Sequence, residues 1–131
     1  MIGLDTNVLV RYVSQDDPVQ SQKATDLIES LTAGEPGFIA MVSVVELVWV
    51  LQSCYQATKS EIVDVLETLL RTKELVVERA EVVWQALRRF SDSKADFADC
   101  LIERCAHAAE CEYTVTFDSK AAKTAGMRHI R

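Results

Sequence analysis

Four carboxylates stand in segments that otherwise carry little charge, and they are the side chains of this sequence best placed to do chemistry. Asp5 ends the apolar opening Met1-Ile2-Gly3-Leu4, and Glu46 interrupts the apolar run from Val42 to Leu51. Asp99 sits inside Phe97-Ala98-Asp99-Cys100-Leu101-Ile102, and Asp118 closes Tyr113-Thr114-Val115-Thr116-Phe117. Such neighbours imply partial burial, and a buried carboxylate is costly unless a cation, a set of donors or a metal lies beside it. Lys and Arg are missing next to most of these acids, so a shared divalent ion is the economical partner. Oxygen ligands without His or Cys suit a hard ion, Mg²⁺ or Mn²⁺. On a phosphodiester that ion would activate an attacking water and neutralise charge on the phosphoryl and leaving oxygens. Thr6, Asn7, Ser43, Thr116 and Ser119 adjoin the acids and can orient carboxylates or waters.

Each acid also has a simpler explanation. Asp5 and Asp118 each precede a helix and can serve as its N-cap. Ser43-x-x-Glu46 has the spacing of a capping box, in which Glu46 would satisfy only a backbone N–H. Asp96 and Asp99 are favoured at the start of a helix by its dipole. Four separate caps would not need such apolar settings, however, and as a set the acids favour a functional site.

The elements that must position them follow from apolar periodicity. Strands are expected at residues 2–4, 38–42, 75–78 and 113–117, with a possible edge strand at 128–131. Helices are expected at 6–13, 18–31, 43–54, about 58–71, 80–90, 97–110 and 119–124. Asp16-Asp17-Pro18 and Thr58-Lys59-Ser60-Glu61 are helix starts, and Gly34-Glu35-Pro36-Gly37 is a turn cluster. The helix at 43–54 is apolar nearly all round and is expected to be buried. Ala98, Leu101, Ile102, Cys105 and Ala109 form the expected apolar stripe of the helix at 97–110, with Asp99 at its border. Strands alternating with helices imply a parallel sheet covered on both faces. Asp5 and Asp118 then lie at carboxyl ends of strands, and Glu46 and Asp99 lie in early helix turns, so all four can converge at the edge where α/β proteins place their sites.

A chain of 131 residues, 49% hydrophobic and free of low-complexity tracts, fits one globular domain, 1–131. No apolar stretch approaches the ~20 residues that span a bilayer, and no export signal opens the chain, so the expected compartment is the cytoplasm. The net charge of −6 argues against a protein that coats nucleic acid, but not against a nuclease whose acids bind metal; it also suits a basic protein partner. Cys54, Cys100, Cys105 and Cys111 lack zinc-site spacing and are expected to be small buried hydrophobes. Arg11, Lys94, Lys120 and Lys123 lie near these segments and could hold phosphates, although solvated surface charge is the plainer role.

The segments Ile2-Gly3-Leu4-Asp5-Thr6-Asn7-Val8-Leu9, Ser43-Val44-Val45-Glu46-Leu47, Asp96-Phe97-Ala98-Asp99-Cys100-Leu101-Ile102 and Thr114-Val115-Thr116-Phe117-Asp118 resemble, in order, the acidic motifs of PIN-domain proteins, especially VapC toxins. The resemblance covers nearly the whole chain. It implies a PIN-like three-layer α/β/α domain with a central parallel sheet of four or five strands. It further implies a divalent-metal-dependent endoribonuclease acting on structured RNA such as tRNA or rRNA, inhibiting translation. By resemblance the metal-site and catalytic acids are Asp5, Glu46, Asp99 and Asp118. Asp96 is an auxiliary ligand or a cap, and Thr6, Asn7 and Thr116 match the family's polar supports. A homodimer, neutralised by a VapB-like antitoxin that alone contacts operator DNA, is implied as well; apolar surface on the helices at 18–31 and 43–71 would hold these partners. Two other possibilities stand beside this one. A non-catalytic PIN-like module that binds RNA or a partner would not need the intact acids. An aspartyl-phosphate phosphatase would place a second Asp where Asn7 stands.

Overall fold

The structure is a computed structural model that describes residues 1–131. In chain order the elements are β1 (Ile2–Gly3), α1 (Thr6–Ser14), α2 (Pro18–Ser30), β2 (Gly37–Ile39), α3 (Met41–Cys54), α4 (Lys59–Arg71), β3 (Leu75–Val77), α5 (Ala80–Asp92), α6 (Phe97–Ala108), β4 (Val115–Thr116), α7 (Ser119–Thr124) and β5 (Arg128–His129). They divide into two compact units, Met1–Glu78 and Arg79–Arg131.

The first unit is built on a parallel sheet ordered β1-β2-β3, with Ile2 opposite Gly37 and Gly37 opposite Leu75. Each crossover is a pair of helices, as parallel pairing requires. Gly37 is at the centre because leucines close in from three sides. A Cβ there would lie 2.9 Å from both Leu31 Cδ1 and Leu4 Cδ1. Leu9, Ile39, Leu47 and Ile62 are fully buried and form the middle of this unit's core. Three helix starts follow the local rules. Asp5 caps α1. Asp17 accepts from Val19 and Gln20 N–H ahead of Pro18, and Thr58 with Glu61 completes a reciprocal capping box on α4.

Two expectations fail at α3. Its helix begins at Met41, behind an extended Ala40 that offers no side-chain cap, so the expected strand at 38–42 ends at Ile39. Val42 is helical because a short apolar run fits strand and helix equally well. The helix is also not buried all round. Val44, Leu47, Val48 and Leu51 face the core, whereas Val42 and Trp49, two turns apart on one side, are exposed.

In the second unit α5 packs against α6, with Phe90 and Phe97 edge to face at 5.8 Å. Phe97, Cys100 and Leu101 are the buried side of α6 and Ile102 is exposed, so the apolar stripe lies about 100° round from the one expected. Strands β4 and β5 pair in parallel, Val115 opposite Arg128 and Thr116 opposite His129. Gly126, at φ +79, ends α7 in the left-handed region, where L side chains are strained. All five strands thus pair in parallel, three in the first unit and two in the second. Cys100 is buried, and burial pushes its thiol up to about 11. Cys54 and Cys111 are exposed, contrary to their expected role as buried hydrophobes.

Candidate functional site

Asp5 and Glu46 come together because α1 leaves β1 and α3 leaves β2, and these strands are parallel neighbours. Asp5 Oδ1 accepts the Thr6 backbone N–H at 2.8 Å. The Thr6 hydroxyl donates to Glu46 Oε1 at 2.7 Å, across 40 residues of sequence. Glu46 therefore does not act as the far end of a capping box. It is the sixth residue of α3, and Ser43 is buried within the helix. Asn7 lines a groove of about 290 Å³ between α1 and α2 together with Arg11, Gln20 and Lys23. Arg11 is committed within that region, donating to Gln20 Oε1 at 2.8 Å and pairing with Asp16 at 3.1 Å. This leaves it poorly placed to take a phosphate.

The second unit gathers Asp96, Asp99 and Asp118. The Asp99 carboxyl is raised above its ordinary value, first by desolvation and then by the charges of Asp96 and Asp118, with Lys120 opposing. Asp118 caps α7, Oδ1 accepting from Lys120 N–H at 2.8 Å and Ala121 N–H at 3.3 Å. Thr116 Oγ1 accepts the Asp118 N–H at 3.0 Å and so fixes the turn that presents the acid. Asp96 stands at the N-cap position of α6 but its side chain makes no capping hydrogen bond.

The expected partial burial holds for Asp99 alone. Asp5, Glu46, Asp96 and Asp118 are exposed. Leu4 beside Asp5, Leu47 beside Glu46 and Phe97 beside Asp96 point to the core while the acids turn to solvent, whereas Tyr113, Val115 and Phe117 ahead of Asp118 are exposed with it. The ion pairs of the protein use Glu35, Asp16 and Glu103, and none of the four principal acids is in one. Within neither unit do three or more Asp, Glu, His or Cys side chains gather closely enough to hold an ion by themselves. The exposed acids, acting through carboxylate oxygens only, fit a hydrated hard cation that keeps several waters and is held by few protein ligands.

Parallel strands joined by helices, with acids at strand ends and in early helix turns, define an α/β protein whose candidate site is made of carboxylates. The chain belongs to the PIN domain family, whose pattern matches residues 2–127. Among curated proteins it is similar to a VapC ribonuclease of Aquifex aeolicus (strain VF5), 29% identical over 99 residues, which is 75% of this chain and 73% of that protein. No helix is long and apolar enough to cross a membrane.

Proposed function

We propose that residues 1–131 act as a single PIN domain and that the protein is a divalent-metal-dependent endoribonuclease, the toxin of a VapBC-type pair. Asp5, Glu46, Asp99 and Asp118 hold one ion, with Asp96 as an auxiliary ligand. The observation that carries this is the Thr6 bridge, which holds Asp5 through its backbone N–H and Glu46 through its hydroxyl, beside the grouping of Asp96 and Asp118 around Asp99 in the second unit. Family membership and the similarity to a VapC ribonuclease support it.

When bound, Mg²⁺ or Mn²⁺ would supply a water of lowered pKa and offset charge on the scissile phosphate. The chain's own residues do the positioning. Thr6 keeps its backbone N–H on Asp5 and its hydroxyl on Glu46, so one residue fixes the directions of two acids. Thr116 holds the turn at Asp118. The remaining carboxylate oxygens are left to accept from waters or an ion. The substrate is structured RNA such as tRNA or rRNA, cut to inhibit translation. The working form is a cytoplasmic homodimer restrained by a VapB-like antitoxin, and Val42 and Trp49 on α3 offer exposed apolar surface for a protein partner.

The test is cleavage of total tRNA and rRNA by purified protein. Activity is expected with Mg²⁺ or Mn²⁺, none in EDTA, and a fall of about 100-fold or more in Asp5→Asn and Asp99→Asn with folding intact. Cleavage that survives both substitutions would remove these acids from the site.

A further inference from the structure

The face of the β4–β5 ribbon is a second surface that the proposed metal acids do not use. Exposure alternates along residues 113–117. Tyr113, Val115 and Phe117 are exposed at 49%, 50% and 78%, while Thr114 and Thr116 between them are half-buried. The strand itself is Val115–Thr116, with Tyr113 two residues before Val115 and Phe117 at the bend that follows, so pairing fixes the side of Val115. In the parallel register Val115 lies opposite Arg128, so Arg128 shares that side, as does Ile130, which is also exposed. The Arg128 guanidinium lies over the Tyr113 ring, 3.7 Å from its centroid, a flat cation on a flat ring. His129 Nε2–H donates to the Phe117 carbonyl at 3.0 Å, tying the two strands together beneath the most exposed aromatic.

Two exposed aromatics on one short segment, one of them under an arginine plane, are the elements of a base-stacking surface. Charge favours the same occupant. The protein is acidic overall at −6, yet Ser119 to Arg131 holds Lys120, Lys123, Arg128 and Arg131 and no carboxylate. Such a segment attracts a polyanion rather than an acidic or neutral protein surface. Phe117 immediately precedes Asp118, so a base stacked there would lie beside one of the proposed metal acids. We propose that the Tyr113–Phe117–Arg128 face binds unpaired RNA bases by stacking and so selects single-stranded segments next to the cleaved bond. This rests on the ribonuclease assignment above and names where that substrate is held.

The experiment measures binding of a fluorescein-labelled single-stranded (CAA)₄ RNA to the full chain in EDTA by fluorescence anisotropy, beside an abasic oligomer of the same length. The wild type is expected to prefer the RNA with bases. Phe117→Ala and Tyr113→Ala should each weaken that binding by roughly tenfold without changing the abasic affinity, and Phe117→Tyr should retain it. Arg128→Gln should lower affinity and flatten the salt dependence by about 0.7 in log–log slope. Circular dichroism and light scattering accompany each variant. Equal wild-type binding of both oligomers, or unchanged RNA affinity in Phe117→Ala and Tyr113→Ala, overturns the proposal. So does a change in oligomeric mass without a change in RNA affinity, which would make this face a contact between protein copies. Binding in EDTA is independent of cleavage. A protein that stacks RNA without cutting it would refute the nuclease and keep this surface; one that cuts without stacking would do the reverse.

Discussion

At Thr6 a single side chain joins helices that leave adjacent strands, its hydroxyl 2.7 Å from Glu46. Thr6→Val keeps the shape and removes the donor, so Glu46 loses its orientation; cleavage should fall about 10-fold, and Thr6→Ser should restore most of it. Asp99 allows a test in which stability and activity move in opposite directions. Its carboxyl is raised by desolvation and by Asp96 and Asp118. An acid whose pKa is higher folded than unfolded adds stability at low pH, and this is lost as pH rises through the folded value. At neutral pH the ionised group therefore weighs against folding, and Asp99→Asn should raise the Tm of the metal-free protein while abolishing cleavage. A lower Tm would contradict the crowding of these acids. The places of the four acids at strand ends and helix starts were legible in the sequence, because caps and apolar periodicity mark those ends. Their exposure was not, since apolar sequence neighbours do not say which way a given Cβ points.

Among the elements, the end of α1 is tied to the end of α3 by polar links. The Asp16 carboxyl is lowered to about 2, first by the Tyr55 hydroxyl, which donates to Oδ2 at 2.6 Å, then by Ser14, with a smaller share from Arg11. A carboxyl depressed on folding contributes stability above its unfolded pKa and loses it as pH falls towards the folded value. Tyr55→Phe should raise the Asp16 pKa, read from the side-chain carboxyl shift in NMR, and move the onset of acid unfolding between about pH 4 and 2 upward. In the second unit Phe97 is fully buried against Phe90, so Phe97→Ala should cost about 3–5 kcal/mol by urea denaturation. Most helix limits were readable from caps such as Asp17-Pro18 and Thr58-x-x-Glu61. The start of α3 was not, because Ala40 carries no capping side chain and Ser43-x-x-Glu46 imitates a cap inside the helix. On α6 apolar residues occur all round, so the choice of Phe97, Cys100 and Leu101 as its buried face depended on packing that periodicity alone did not express.

For the molecule as a whole, the ordered motifs identified the PIN fold, whose match runs from residue 2 to 127. Expression of the chain alone should arrest growth, co-expression with its antitoxin should relieve the arrest, and Asp5→Asn should be harmless; harmless wild type would remove the toxin role while leaving the nuclease. The central claim is that Asp5, Glu46, Asp99 and Asp118 are the metal-binding acids. Titration of Mn²⁺ into the protein, followed by the electron paramagnetic resonance of free Mn²⁺, tests it most directly. About one ion per chain is expected for the wild type, with that binding lost in Asp5→Asn and in Asp99→Asn. Wild-type Mn²⁺ binding retained in either variant would contradict that acid's role as a metal ligand.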